Sequence, residues 1–199
     1  MGLLLVSASF SSYSFAADPV TFSNAPKLSF RYDAGIMKNV GTIGGAGAFT
    51  WGLDILALYY PDPIFALGAG YRTFFDLSKS TTPVSGGFLL GRWYFYGQGT
   101  RSRTDANRME VKHHENYAFY TGMELGQSNY YLGESAKRVT DKLTGSYFNM
   151  NALAGTDVRL NDHFEINVEA SLGLLIFAAT DSNFRLQGTL MSAGISYLW

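Results

Sequence analysis

The last seven residues read AGISYLW, Ala193 to Trp199. Taken backwards, Trp199, Tyr197, Ile195, Ala193 and Met191 are apolar or aromatic. Leu198, Ser196, Gly194 and Ser192 stand between them, mostly small and polar. Successive side chains of a strand point to opposite faces, so this period of two specifies a strand with one apolar face. Soluble chains commonly end in frayed polar tails. An amphipathic strand running into a terminal aromatic residue is a different kind of end.

The composition points the same way. The chain has 199 residues, enough for one domain with a sizeable core. Fifteen basic residues face sixteen acidic ones, without the basic excess of a nucleic-acid binder. There is no cysteine, which excludes disulfides, thiolate metal sites and a cysteine nucleophile. Charged residues are 16% of the chain, against roughly 25% in globular domains. Aromatics and glycines are abundant, yet no apolar run of about 18 residues offers a transmembrane helix. Residues 1–17, MGLLLVSASFSSYSFAA, carry no charged side chain. Leu3 to Phe10 forms a short apolar stretch and Ser14-Phe15-Ala16 a small-x-small cleavage site. We read 1–16 as a signal peptide, although its start lacks Lys or Arg, and 17–199 as a single domain. A short buried N-terminal segment is the alternative.

Period-two alternation recurs eight times. Strands are expected at Leu28–Ile36, Ala46–Tyr60, Ile64–Leu77, Gly86–Gly97, Glu115–Gly126, Gly145–Leu160, Phe164–Ile176 and Arg185–Trp199. Pro61-Asp62-Pro63 breaks the second from the third, because proline cannot continue a central ladder. In the third strand one face reads Phe65, Leu67, Ala69, Tyr71, Thr73, Phe75. Its other face reads Ala66, Gly68, Gly70, Arg72, Phe74, Asp76. A soluble sandwich would place Lys, Glu and Thr on its wet face. Here the polar faces hold glycines and isolated charges, as a crowded interior requires, so the apolar faces are assigned to lipid. Runs of 9–15 residues suffice for membrane-spanning strands of about 9–11. A sheet in lipid must pair every edge, so the expected fold is all-β: a closed antiparallel transmembrane barrel of eight strands.

With the strands in place, AGISYLW resembles the terminal strand of bacterial outer-membrane β-barrels, which end in an aromatic residue preceded by alternating apolar ones. The whole mature chain resembles the small eight-stranded barrels of the OmpA/OmpX/OmpW type, in strand pattern rather than in a motif. The resemblance implies residence in the outer membrane of a Gram-negative bacterium, contact with membrane lipids and lipopolysaccharide, and a monomer. It also implies that Ile195, Tyr197 and Trp199 form the signal read by the barrel-assembly machinery. An even strand number puts both termini on one side, here periplasmic, with short turns there and long loops outside. Gln98–His114 breaks that rule, being long, charged and on the turn side. It is either a periplasmic hairpin extension or a place where the strands run beyond the membrane; a ten-strand barrel would need an extra lipid-facing pair here, and only Met109 and Val111 in it are large and apolar. Aromatics at the turn-side strand ends, among them Tyr32, Tyr59, Trp93 and Tyr117, read as an interfacial belt.

Chemistry is sparse. His113, His114 and His163 all fall on the turn side, and adjacent histidines of a strand point to opposite faces. Gly41–Gly47 has glycines but no Lys-Ser/Thr to hold a phosphate. No catalytic residue, metal site or cofactor is assigned, and no nucleic-acid partner. The informative residues are lumen-facing charges at mid-depth: Arg31, Asp54, Arg72, Arg92, Glu124 and Glu169. Three are positive and three negative, as a salt-bridged plug requires. Eight strands enclose a space that side chains can fill. The expected function is a closed barrel with a structural or surface-interaction role through its loops. The alternative is a narrow porin-like pore or a conduit for small hydrophobic molecules, which Asp33 and Asp76 would favour by drawing cations. A lipid A-modifying enzyme is weaker still, for want of a histidine at the outer rim.

Overall fold

The structure is a computed structural model that describes residues 20–22, 26–39, 48–76, 84–100, 102–106, 109–113, 116–131, 144–178 and 186–198. Its strands, in chain order, are β1 (Val20–Phe22), β2 (Lys27–Asn39), β3 (Ala48–Asp62), β4 (Phe65–Asp76), β5 (Val84–Tyr96) and β6 (Ser102–Ala106). They continue as β7 (Met109–His113), β8 (Tyr117–Tyr131), β9 (Thr144–Arg159), β10 (Phe164–Ala178) and β11 (Leu186–Leu198). Eight of them close an antiparallel barrel in the order β10-β11-β2-β3-β4-β5-β8-β9. Closure is made by β11 against β2, from Leu186↔Asn39 to Leu198↔Lys27. The strand of the AGISYLW stretch is therefore the seam of the barrel. The signal-peptide reading of 1–16 and the end residue Trp199 lie outside the described residues.

The long link on the turn side is resolved. β6 and β7 form a hairpin that takes up β1 in a separate three-stranded sheet of order β1-β6-β7. The link is thus a hairpin extension outside the barrel wall, and the barrel has eight strands, not ten. A pairing partner at Val20–Phe22 was not foreseen, because three residues carry too little alternation to signal a strand.

Turns are set by side-chain acceptors. Asp62 Oδ1 accepts the Ile64 N–H at 2.9 Å, and Asn161 Oδ1 accepts those of His163 and Phe164 at 2.8 and 2.9 Å. Both are Asx-type turns that satisfy backbone donors locally. One rim of the barrel gathers these turns with the ends of β2 and β11: His163 O accepts from Leu198 N, and Pro63 O accepts from Gly99 N.

The barrel is inside-out relative to a soluble core. Leu89 is 64% exposed and Ile36 65%, whereas Arg92 and Asp33 are fully buried. Water would penalise so much exposed apolar surface, and a bilayer does not. One local exception arises in β10. A register shift between Gly173 and Leu175 inserts a residue, and a bulge inverts the alternation beyond it. Leu175 is consequently exposed, and Ile176, read from the sequence as lipid-facing, packs against an interior cluster instead.

The interior is also less uniformly polar than the third strand suggested. Leu56, Leu58, Tyr60, Tyr94, Tyr120 and Leu153 belong to one buried apolar cluster, weighted toward the turn rim. Met37, Phe74, Val84, Tyr130, Tyr147 and Leu190 form another at the opposite rim.

Candidate functional site: the charged lumen

Period two puts Arg31 and Asp33 of β2, Asp54 of β3, Arg72 of β4 and Glu124 of β8 on inward-facing positions at similar depth. The register places Arg31 opposite Asp54, and Asp54 opposite Arg72. Arg31 grips Asp54 in a fork, Nε to Oδ1 at 2.7 Å and Nη2 to Oδ2 at 2.6 Å. Its remaining Nη1 donates to Glu169 Oε1 at 2.9 Å. Arg72 donates from Nε and Nη2 to Asp54 Oδ2 at 3.1 and 3.0 Å. It also forks onto Glu124 at 2.9 and 3.1 Å. Arg72 Nε lies 3.2 Å from Asp33 Oδ2, an ion pair without hydrogen-bond alignment. Asp33 takes its hydrogen bond from Ser192, and Glu124 takes one from Asn151 Nδ2 at 2.8 Å.

Glu169 extends the network downward. Its Oε2 accepts from Arg92 Nη2 at 2.6 Å and from the Tyr120 hydroxyl at 3.1 Å. The Arg92 guanidinium lies over the Tyr120 ring, 4.3 Å from its centroid. Its Nε and Nη1 have no hydrogen-bond partner among the described residues, so ring electrons and Glu169 hold that charge together. All six charges singled out in the sequence thus meet in one connected set, Arg92 through Glu169 and the rest through Asp54.

A second group, not assembled from the sequence, closes the turn rim. Lys27 Nζ binds Asp157 at 3.1 Å and also Glu165. Arg159 Nε donates to Glu165 at 3.1 Å, and the Tyr94 hydroxyl donates to Asp157 at 2.9 Å. Arg159 Nη2 reaches the carbonyls of Gln98 and Thr100 at 3.0 and 3.2 Å, so the start of the β5–β6 link is tied across the barrel end. Gly97 turns the chain there with φ 70°, a conformation suited to glycine. Gly99 rests on the tyrosines: a Cβ at that position would meet Tyr60 and Tyr94 ring carbons at 2.4 Å. The signal was present in the sequence, since Glu165 shares Glu169's face and Lys27 shares Arg31's. What was missing was their partners on strands distant in sequence.

Across both groups Lys27, Arg31, Arg72, Arg92 and Arg159 face Asp33, Asp54, Glu124, Asp157, Glu165 and Glu169, five positive against six negative. Near balance is what buried charges demand, because an unmatched ion costs several kcal/mol to desolvate. A cavity of about 10 Å³ remains beside Arg72, Phe74, Asn151 and Leu190, which is room for about one water.

The other sequence-derived residues sit as follows. Tyr59, Trp93 and Tyr117 are exposed near the turn rim. Tyr32 does not join them. It lies mid-strand, paired with Leu53, and stacks on Trp51 at 6.2 Å, which stacks on Phe75 toward the other rim. Its place in the strand agrees: Tyr32 is central in the expected strand Leu28–Ile36 and well inside β2, so it does not belong with the strand-end aromatics. Ile195 is exposed, and Tyr197 packs on Phe164 and His163 with ring centroids 5.4 and 5.9 Å apart. His163 Nδ1 lies 3.3 Å from Leu198 O, His113 closes β7 and His114 is outside the described residues. Among the described residues no group of three or more potential ligands could hold a metal ion. The Asp76 side chain is likewise outside what is described.

No protein-family model matches the chain, and no curated protein matches it. Solved structures do. The crystal structure of Neisserial surface protein A is matched over 90% of this chain and 99% of that one, at 12% identity and a TM-score of 0.55. The outer membrane protein OprG from Pseudomonas aeruginosa is matched over 88% and 97%, at 12% identity and 0.53. The N-terminal β-barrel domain of Pseudomonas aeruginosa OprF is matched over 90% and 100%, at 12% identity and 0.50. The fold is that of the small outer-membrane barrels. Each match covers nearly the whole of its partner, so this chain is similar to complete eight-stranded barrels rather than to fragments of larger ones.

Proposed function

We propose that this chain is an integral outer-membrane protein of a Gram-negative bacterium whose lumen is a closed, salt-bridged strut. In this reading both termini and the β1-β6-β7 sheet are periplasmic, and the long connections at the opposite rim meet surface partners or lipopolysaccharide. The carrying observation is the Arg31–Asp54–Arg72–Glu124 chain, which ties β2, β3, β4 and β8 through the barrel axis with every member buried. Side chains that bind one another across the lumen occupy the path an ion would take, and the tyrosines under Gly99 obstruct the turn rim. Membrane lipids are its standing partners and the barrel-assembly machinery its partner in biogenesis. The reading assigns no reaction, cofactor or metal, and takes the protein as a monomer.

The test is electrical. The purified barrel reconstituted in planar bilayers is expected to pass no steady current. Stable single-channel currents whose selectivity shifts in Glu124→Gln would overturn the closed strut in favour of a narrow pore. Unaltered lipid A in cells expressing the protein, read by mass spectrometry, is the expected result for a barrel without lipid-modifying chemistry, and newly acylated or deacylated lipid A would overturn that part.

A further inference from the structure

The ladder between β10 and β11 stops short. Among the described residues their pairing runs from Phe164↔Tyr197 to Leu172↔Thr189 and ends there. Both strands go on: β10 stays paired with β9 as far as Ala178↔Tyr147, and β11 with β2 back to Leu186↔Asn39. Gly173 and Gly188 meet just past the last rung, where a Cβ on Gly173 would lie 3.4 Å from the Gly188 backbone. Two facing glycines bring no side chains to support a rung, and the register shift between Gly173 and Leu175 turns β10 out of line with its neighbour. One side chain spans the gap instead. Gln187 Nε2 donates to Gly173 O at 3.1 Å and reaches Leu174 O at 3.5 Å.

This weak rung borders the cavity of about 10 Å³ beside Arg72. Gly173, Gln187 and Gly188 line its wall side, and Arg72, Asn149 and Asn151 its inner side. Leu190 and Ser192 are buried inward, so parity puts Gly188 inward and Gln187 on the outer face. An outward residue that lines a lumen cavity leaves the wall there one side chain thick. Asn149 Oδ1 is buried and has no hydrogen-bond partner among the described residues. It sits over inward-facing Gly126, where a Cβ would come within 2.6 Å of it. Along a tilted strand, Leu174 stands about 25 Å above the turn-rim start of β10 at Phe164, which is the far edge of an apolar band about 25 Å tall.

We infer that the cavity binds one water molecule at Asn149 Oδ1, and that Gln187 is the latch of a lateral port between β10 and β11 through which this water exchanges with the membrane interface. The lining chooses the occupant. A buried acceptor without a partner calls for a hydrogen-bond donor. A hydrocarbon chain offers none and is too large, and a metal cation would stand beside the Arg72 guanidinium. Water fits the volume, and Arg72, Asn151 and Gln187 carry the further polar groups that a buried water needs, two to four in all. The route follows from what fills the barrel axis. Toward the turn rim lies the Arg31–Asp54–Arg72–Glu124 chain. Toward the other rim lies the apolar cluster of Met37, Phe74, Val84, Tyr130, Tyr147 and Leu190. Swinging Gln187 aside breaks its bonds to two carbonyls and no ladder pair, so this place opens more readily than a paired rung.

The chain has no cysteine, so Ser171→Cys, a change of one atom on the cavity lining, supplies a single reporter thiol. The full-length barrel in phosphatidylcholine vesicles is treated with methyl methanethiosulfonate, and mass spectrometry reads the labelling rate. Adding Gln187→Ala should speed labelling about fivefold, the weight of one hydrogen bond. Gln187→Met keeps the bulk but cannot donate, should act likewise, and serves if the alanine variant shows no heat-modifiable band. Ser196→Cys, buried in the lumen near the turn rim, should label no faster when Gln187 is changed. An unchanged rate at Ser171→Cys, or an equal rise at both thiols, would overturn the lateral port. The water is read by rotating-frame NMR of the barrel in micelles. A dipolar cross-peak between water and the Asn149 or Asn151 side-chain amide, opposite in sign to chemical exchange, is expected, and its absence would overturn the water site. Conductance reads the axial path and these measurements read the cavity and the wall, so the closed strut and this inference can fail separately.

Discussion

Arg72 of β4 and Glu124 of β8 meet in a two-bond fork, 2.9 and 3.1 Å, although β5 stands between their strands. The contact is possible because the residue of β5 opposite Arg72 is Gly86, which has no side chain to interpose. Phe88, two residues on, supplies a ring face 4.5 Å from the guanidinium centre. A missing side chain and an aromatic floor together let one arginine span three strands.

Breaking this fork should be costly. Glu124→Gln is expected to lower stability by about 3 kcal/mol, because removing one member strands a buried charge. Arg72 keeps Asp54 and Asp33, so the loss should fall at the low end of the range for buried pairs. Asn151→Ala removes a single hydrogen bond to Glu124 and should cost about half as much. Urea unfolding in lipid vesicles measures both. A double variant, Arg72→Met with Glu124→Leu, should not recover the loss, because it leaves the buried Asp33 carboxylate without the Arg72 guanidinium 3.2 Å from it.

Adjacent residues of β10 should respond in opposite ways to charge. Val168 is 39% exposed on the lipid side and Glu169 is buried at 1%. Val168→Arg should cost about 2–4 kcal/mol of folding into vesicles if it sits near the bilayer midplane. Glu169→Gln should destabilise through Arg31 and Arg92, which both donate to it. A neutral Val168→Arg would show that this face does not meet lipid.

Gly99→Val should unseat the link from the turn rim. Its new side chain would overlap Tyr60 and Tyr94, and overpacking of that kind costs about 1–3 kcal/mol. The hydrogen bonds from Arg159 to Gln98 and Thr100 should be lost with it. Limited proteolysis of the folded barrel is the readout: cleavage within residues 97–116 should accelerate while the barrel core persists.

Deleting residues 197–199 should abolish assembly in cells. Tyr197 pairs with Phe164 on one side and Leu28 on the other, so the deletion opens the seam strand at both neighbours. The expected outcome is unfolded or degraded chain in the periplasm, scored by the absence of a heat-modifiable band. Normal amounts of that band would sink both the seam argument and the assembly-signal reading.

Much of this protein was legible in its alternation. Period two located all eight barrel strands, and it put Arg31, Asp54, Arg72, Arg92, Glu124 and Glu169 on inward faces, because in a sheet parity alone decides the side. Parity fails where a residue is inserted. The bulge between Gly173 and Leu175 turned Ile176 inward, and nothing local in that stretch announces it. Depth was read less well than side: Tyr32 was grouped with the strand-end aromatics, yet it lies mid-strand opposite Leu53. Pairing between remote segments was the largest gap. Lys27 meets Asp157 and Glu165 across 130 and 138 residues, and β1 meets β6, because such contacts depend on strand order and stagger around a closed barrel. The sequence by itself therefore determined which side chains enter the lumen, since that is a local property of the pleat. Which charges meet there and which rim the tyrosines close were decided only by closure of the sheet, which fixes the stagger of every strand against its neighbours at once.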